Sequence, residues 1–140
     1  NRRMNETLER MGQALFVHYF IDSPEAKDWR EEHLDKIANF LNGLAMQKYP
    51  KIEGKPTLPV IKIREMSSGI TPNTDFASAT IPKQYIVSNG DLLFSWSGTL
   101  MIKFWAEGNG ALNQHLFKVT SEDYPEWLYY CWLLVPLRLF

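Results

Sequence analysis

Apolar residues recur at Met4, Leu8, Met11, Leu15 and Tyr19, spacings of 4, 3, 4 and 4, which predict an amphipathic helix close to the a/d rhythm of a coiled coil. Arg2, Arg3, Glu6, Glu9, Arg10 and Gln13 cover the other side, while Ala14, Phe16 and Phe20 widen the apolar face. Such a stripe needs a hydrophobic partner, either its own domain or a neighbour. Ser23-Pro24-Glu25 reads as a second helix start: a capping hydroxyl, a Pro whose missing N–H would be unpaired anyway, and an anion in the positive first turn. Leu34, Ile37, Ala38 and Leu41 then fall at i, i+3, i+4 and i+7, and Asn42-Gly43 offers a stop, so residues 29–41 read as continuously helical.

The period then changes. Residues 48–59 hold three Pro, one Gly and three Lys and predict a loop. Residues 59–65 (PVIKIRE) predict a strand with Ile61 and Ile63 on one face and Lys62 and Arg64 on the other. Residues 66–82, rich in Ser, Thr, Gly, Asn and Pro, predict an irregular surface excursion of the kind that often carries function. A short strand at 84–88, the Asn89-Gly90 turn, strand 92–97, a Ser97-Gly98 reversal and strand 99–105 follow. Alternation sets Leu92, Phe94, Trp96, Leu100, Ile102 and Phe104 inward and leaves Ser95, Ser97, Thr99 and Lys103 on a polar, basic face. Residues 107–110 (EGNG) form another turn before a strand at 112–119, and Pro125 opens a densely apolar helix through Leu134. These elements predict an α+β fold: a strongly twisted, mainly antiparallel sheet between residues 58 and 119, flanked by helices, with the N-terminal helix projecting or packing at its edge.

Composition narrows the class. With 140 residues, 45% hydrophobic and 22% charged, the chain is one folded domain and neither disordered nor low-complexity. Cys131 stands alone, so no intrachain disulfide is available and a reducing compartment is compatible. The N-terminal residues carry neither a secretory signal nor an organellar transit pattern, so a cytoplasmic location is expected. The apolar stretch 127–140 is shorter than the roughly 20 residues a membrane helix needs and contains Pro136 and Arg138, so no membrane span is expected. Asn1 is not an initiator Met and Phe140 ends an apolar segment, which suggests a piece of a longer polypeptide.

The net charge of -1 alone discourages a nucleic-acid role, but its distribution is uneven. Residues 1–35 hold five Lys/Arg against eight Asp/Glu, a balance of -3, and residues 48–118 hold eight against five, a balance of +3. The middle of the chain is the basic part.

Catalytic motifs are missing. His18, His33, His115 and Cys131 lack metal-ligand spacing, so no metal is expected. No phosphate-binding Gly-rich loop occurs, Gly108-Asn109-Gly110 lacks the rest of a dinucleotide fingerprint, and Glu25-Ala26-Lys27 and Glu53-Gly54-Lys55 lack the strand and partner Asp of a nuclease centre. The Asn/Asp-Pro-Pro-Tyr/Phe tetrapeptide with which amino-methyltransferases hold a base is absent too. What remains is a recognition surface of hydroxyls and amides (Ser67, Ser95, Ser97, Thr99, Asn113, Gln114), the bases Lys62, Arg64 and Lys103, and His115, with Ser68, Thr71, Asn73 and Thr74 in the long excursion. DNA contact uses this mixture: cations and hydroxyls hold phosphates, and amides or guanidinium groups present paired donors and acceptors to base edges. Asn113-Gln114 could equally close a loop by bonding backbone, and Trp96 and Trp105 read as core residues.

The order of motifs brings in a family. Residues 1–22 (NRRMNETLERMGQALFVHYFID) resemble the end of the central helix in specificity subunits of type I restriction-modification enzymes. LPVIKIREMSSGIT (58–71), YIVSNGDLLFSWSGTL (85–100), GALNQHLFKV (110–119) and YPEWLYYCWLL (124–134) resemble successive segments of such a subunit's target recognition domain. The resemblance implies two domains: residues 1–22 as the end of the central conserved helix and 23–140 as a target recognition domain, the second of two, cut short at its C-terminus. It further implies a non-catalytic subunit that binds double-stranded DNA and directs modification and restriction subunits to one half of a split site. S-adenosylmethionine, ATP and Mg would then belong to those partner subunits, with no cofactor in this chain. Met4, Leu8, Met11 and Leu15 would dock on the second long helix of the subunit or, in the isolated chain, either fold back or meet a second copy as a two-fold dimer. Alternatives are the recognition part of a single-chain restriction-methylation enzyme and a protein-interaction scaffold.

Overall fold

The computed structural model describes residues 7, 10–12, 14–28 and 32–139, with side chains left aside at 26 and 135–139. Residues 14–16 are α-helical and Val17–Ile21 continue as a π-helix that Asp22 closes by donating its backbone N–H to the Val17 carbonyl. Of the predicted stripe, Met4 and Leu8 lie outside the described residues, and Met11 and Leu15 are exposed. Pro24–Asp28 form a 3-10 helix at the predicted helix start.

The domain is α+β, with three α-helices, two of them short, and eight strands among the described residues beyond that point. Helix α1 (Leu34–Ile37) leads into β1 (Asn39–Asn42), and β2 (Thr57–Ile61) into α2 (Ile63–Ser68). There follow β3 (Phe76–Ser78), β4 (Ile86–Val87), β5 (Leu92–Ser95), β6 (Met101–Phe104), β7 (Gly110–Leu112), β8 (Leu116–Thr120) and the terminal helix α3 (Glu126–Leu139). Two four-stranded sheets form in place of one: β1-β8-β5-β6, wholly antiparallel, and β3-β2-β7-β4, in which β2 and β7 run parallel.

Three apolar clusters stack the layers. Ile61, Met66, Val87, Leu93, Trp105, Leu112 and Leu116 fill the space between the sheets beneath α2. Ala38, Leu92, Ile102 and Val119 meet Tyr129 and Leu133 of α3 on the outer face of the first sheet. Met46, Val60, Ala77, Ile81 and Ala111 close the outer face of the second. Trp105 is core, as expected, and its indole N–H donates to the Gly108 carbonyl at 2.7 Å.

Several predicted elements are corrected by these contacts. The helix expected through Leu41 stops at Ile37, because Phe40 and Leu41 are needed to pair with β8, opposite Val119 and Lys118. Phe40 packs edge-on against Phe94 and Phe117, and tertiary pairing overrides a helical period only two turns long. The strand expected over 59–65 ends at Ile61. Lys62 is extended, and its backbone N–H donates to Glu65 Oε2 at 3.2 Å, so α2 starts where the strand was expected to continue. The excursion 66–82 accordingly begins as the end of α2 and contains β3. Residues 83–85 are a 3-10 turn before the two-residue β4, and the strand expected over 112–119 is divided between β7 and β8 by the turn at 113–115.

Candidate nucleic-acid interface

The recognition residues are gathered by strand register. In the parallel β2–β7 pair, Ile61 lies opposite Leu112, so Lys62 and Asn113 leave the sheet side by side. Asn113 N donates to the Ile61 carbonyl at 3.2 Å, and Lys62 and Asn113 line one recess of about 270 Å³ with Gln47 and Asp75. Across the turn, Ser95 lies opposite Leu116 in the β5–β8 pair, which brings the β5–β6 hairpin tip (residues 96–100) beside Gln114 and His115. The Trp96 ring sits 6.3 Å from His115 and 6.1 Å from Phe117, centroid to centroid. One end of the molecule therefore carries Lys62, Gln114, His115, Trp96, Ser97 and Thr99.

Burial sorts these groups. Thr99 and His115 are exposed, Ser97 and Gln114 half-buried, and the Gln114 amide lies 3.4 Å from His115 Nε2. Ser95, expected on the open polar face, is instead buried, and Asn113 is buried too, in the loop-closing role that was its alternative. Ser95 Oγ donates to the Thr99 carbonyl at 2.7 Å and closes the hairpin. Asn113 Oδ1 accepts the Gln114 N–H at 2.7 Å, so it shapes the turn that presents Gln114. The second sheet and α2 cover the face that alternation assigned to solvent, and Leu93 on that same face is core. Trp96 and Leu100, expected inward, are instead 47% and 57% exposed, because the hairpin tip extends past the end of the core.

Carboxylates hold Lys62 and Arg64, and a backbone carbonyl holds Lys103. Lys62 Nζ pairs with Asp75 at 2.5 Å, and Arg64 bonds both Glu65 Oε1 (2.9 Å from Nε) and the Asn73 carbonyl (2.8 Å). The alternation that was to put Lys62 and Arg64 on one strand face does not apply, since Lys62 caps α2 and Arg64 lies within it. Lys103 is exposed but donates to the Met66 carbonyl at 2.9 Å. It shares a cleft of about 470 Å³ with Ser67 and Tyr130, separate from the recess that Lys62 lines.

Two carboxylates that pattern reading missed organise this end. Glu65 is wholly buried and accepts from Arg64, from Thr74 Oγ1 at 3.1 Å and from the Lys62 backbone, which ties the 71–75 loop to α2. Glu107 accepts the Ile70 N–H at 2.6 Å and anchors the far end of α2, beside Gly69, whose φ of 79° suits glycine. A capping-box signature would need Ser, Thr, Asp or Asn at position 62, where Lys stands, so only half of the signal that marks Glu65 was present. Nothing local marks Glu107, whose partner is 37 residues away.

Lys62, by hydrogen bond first and by charge second, with a smaller contribution from Arg64, holds the Asp75 carboxyl below the ordinary carboxylate range. A depressed carboxyl pKa stabilises the fold above the unfolded value of about 3.9 and loses that contribution as pH falls through the folded value. In Lys62→Met, NMR titration of Asp75 should show its midpoint rising toward the ordinary value. An unchanged midpoint would mean that the pair does not persist in solution.

Among the described residues no three of His, Cys, Asp and Glu come together as a metal-ligand set, and no helix is long and apolar enough to cross a membrane. A family model described as the type I restriction modification DNA specificity domain matches residues 26–135. Over 95 residues the chain is 28% identical to the specificity subunit of the type I restriction enzyme EcoBI from Escherichia coli, a match covering 68% of this chain and 20% of that subunit. The fold is similar to that of the HsdS subunit from Thermoanaerobacter tengcongensis, at a TM-score of 0.59 and 18% identity over 96% of this chain and 35% of that one. It is equally similar, at 0.60 and 18% with the same coverages, to a chain from a structure describing complex assembly and conformational transition of the type I R-M system. The chain thus spans 20% of the curated relative and 35% of each solved one. With most of its length under the family model, this chain belongs to the type I restriction modification DNA specificity domain family.

Proposed function

We propose that this domain recognises a sequence in double-stranded DNA and so directs a type I restriction-modification complex to its site, without contributing a catalytic group. The observation that carries the reading is the gathering of Lys62, Ser97, Thr99, Gln114 and His115 around one end of the two sheets. The hairpin tip and turn that build most of that end, residues 96–100 and 113–115, contain His115 and no Asp or Glu, and Lys62 stands beside them paired with Asp75. Hydroxyls and cations there suit phosphates, and the Gln114 amide suits a base edge. In this reading S-adenosylmethionine, ATP and Mg are held by modification and restriction subunits in the cytoplasm. The domain grips the bases around the adenine that a modification subunit extrudes. Met11 and Leu15, 56% and 55% exposed, would dock against a helix of the same subunit or a second copy.

Selection of bound duplexes from a random pool tests the reading: a defined sequence should be enriched. A pool that stays random, with no salt-dependent retention on either heparin or duplex DNA, would favour the scaffold alternative. Gln114→Ala should relax the preference at one base-pair position, a loss of about 1–3 kcal/mol of discrimination for a bidentate contact. If that variant melts earlier but selects the same sequence, Gln114 orients the turn and reads nothing.

A further inference from the structure

We propose that the β5–β6 hairpin enters the major groove and that Trp96, at the same tip as the exposed Leu100, reads thymine through its 5-methyl group; this rests on the DNA-recognition reading above. A soluble domain rarely leaves an indole and a leucine exposed together at the tip of a hairpin without a use. Trp96 is also held in place: Phe117 lies on one side, tilted 40°, and His115 on another, tilted 50°, so ring position is set before any ligand arrives. The narrow tip depends on Gly98, whose φ of 74° permits the reversal, and on the Ser95 hydroxyl bonded to the Thr99 carbonyl.

The surroundings select DNA over a protein partner for this patch. Ser97 and Thr99 flank it with hydroxyls, and Gln114 and His115 stand beside it with nitrogen donors. No carboxylate occurs anywhere in 92–104 or 110–119, so nothing in either segment repels phosphate. A two-stranded ribbon fits the major groove, and the apolar feature that distinguishes one base there is the thymine methyl. An apolar ring framed by hydrogen-bond donors is the complement of a methyl framed by phosphates and acceptors.

The test is duplex selection with the 140-residue chain and with Trp96→Ala, followed by equilibrium binding to the selected duplex and to a copy with deoxyuridine in place of each thymine in turn. The parent should select at least one thymine that Trp96→Ala no longer prefers. Removing that methyl should weaken the parent roughly three- to five-fold, the effect of one methyl leaving an apolar contact, and leave Trp96→Ala unchanged. Trp96→Phe, which keeps an aromatic face, should retain part of the preference, and thermal melting of both variants reports whether the fold is intact. A parent profile without thymine, or one unaltered by Trp96→Ala in a folded protein, overturns the thymine contact while DNA recognition stands. A parent that selects no sequence overturns both.

Discussion

Glu65→Ala should lower the melting temperature by about 10 °C, from a loss on the order of 3 kcal/mol in a domain of this size. Glu65 has no exposed surface, and its carboxylate accepts from the Arg64 guanidinium, the Thr74 hydroxyl and the Lys62 backbone N–H. Truncation strands the buried Thr74 hydroxyl and uncaps α2, while Arg64, half-exposed, can turn to water. A buried donor left without an acceptor costs about 1–3 kcal/mol, and a small cavity adds to it. Glu65→Gln should lose less, because one amide oxygen can still accept from Arg64 or Thr74. If both variants melt like the parent, the network does not hold the 71–75 loop and the placement of Lys62 needs another cause.

Gly43→Ala should be at least as damaging, though Gly43 has no unusual φ. A methyl there would stand 2.2 Å from the Asn113 carbonyl oxygen and 2.5 Å from that of Leu112, both backbone atoms that cannot swing aside. The crowding follows from the join between the sheets. Gly43 N donates to Leu116, Leu44 N donates to Leu112, and Gln114 N donates to Leu44, three bonds of 2.9–3.0 Å that clamp the end of β1 onto the 113–115 turn. An added methyl must push that turn away, at a cost of about 3 kcal/mol or more where backbone has to move. Melting measures the loss. Selection on the folded fraction should show altered specificity, since the displaced turn carries Gln114 and His115. A variant as stable as the parent would mean that the turn can be displaced freely.

The same join explains which parts could be read from the chain alone. The Asn89-Gly90 turn, the hairpin reversal at Gly98, and the strands at 92–97 and 99–105 were marked by short-range signals, and β5 and β6 lie where they were expected. The second sheet left no such mark. Its parallel β2–β7 pair joins segments about 50 residues apart, and with both faces of β5 covered the alternation of Leu92, Leu93, Phe94 and Ser95 carries no in-or-out code. Residue type alone marks Gln114 and His115, and register brings them to Trp96. Residue type marks Ser95 and Asn113 equally, yet both lie inside. The alternation of Ile61 and Ile63 reads as strand at Lys62 and Arg64, whereas the buried Glu65 makes that segment the start of α2.

The central claim is sequence-specific DNA recognition by the end of the domain that carries Trp96, Gln114 and His115. Its most direct test is the ratio of affinities for the selected duplex and a scrambled duplex of equal composition, measured across a range of salt. Specific recognition predicts a ratio of about a thousand-fold or more that persists as salt rises, while binding to both duplexes weakens with salt. Equal affinities at every salt concentration would contradict it.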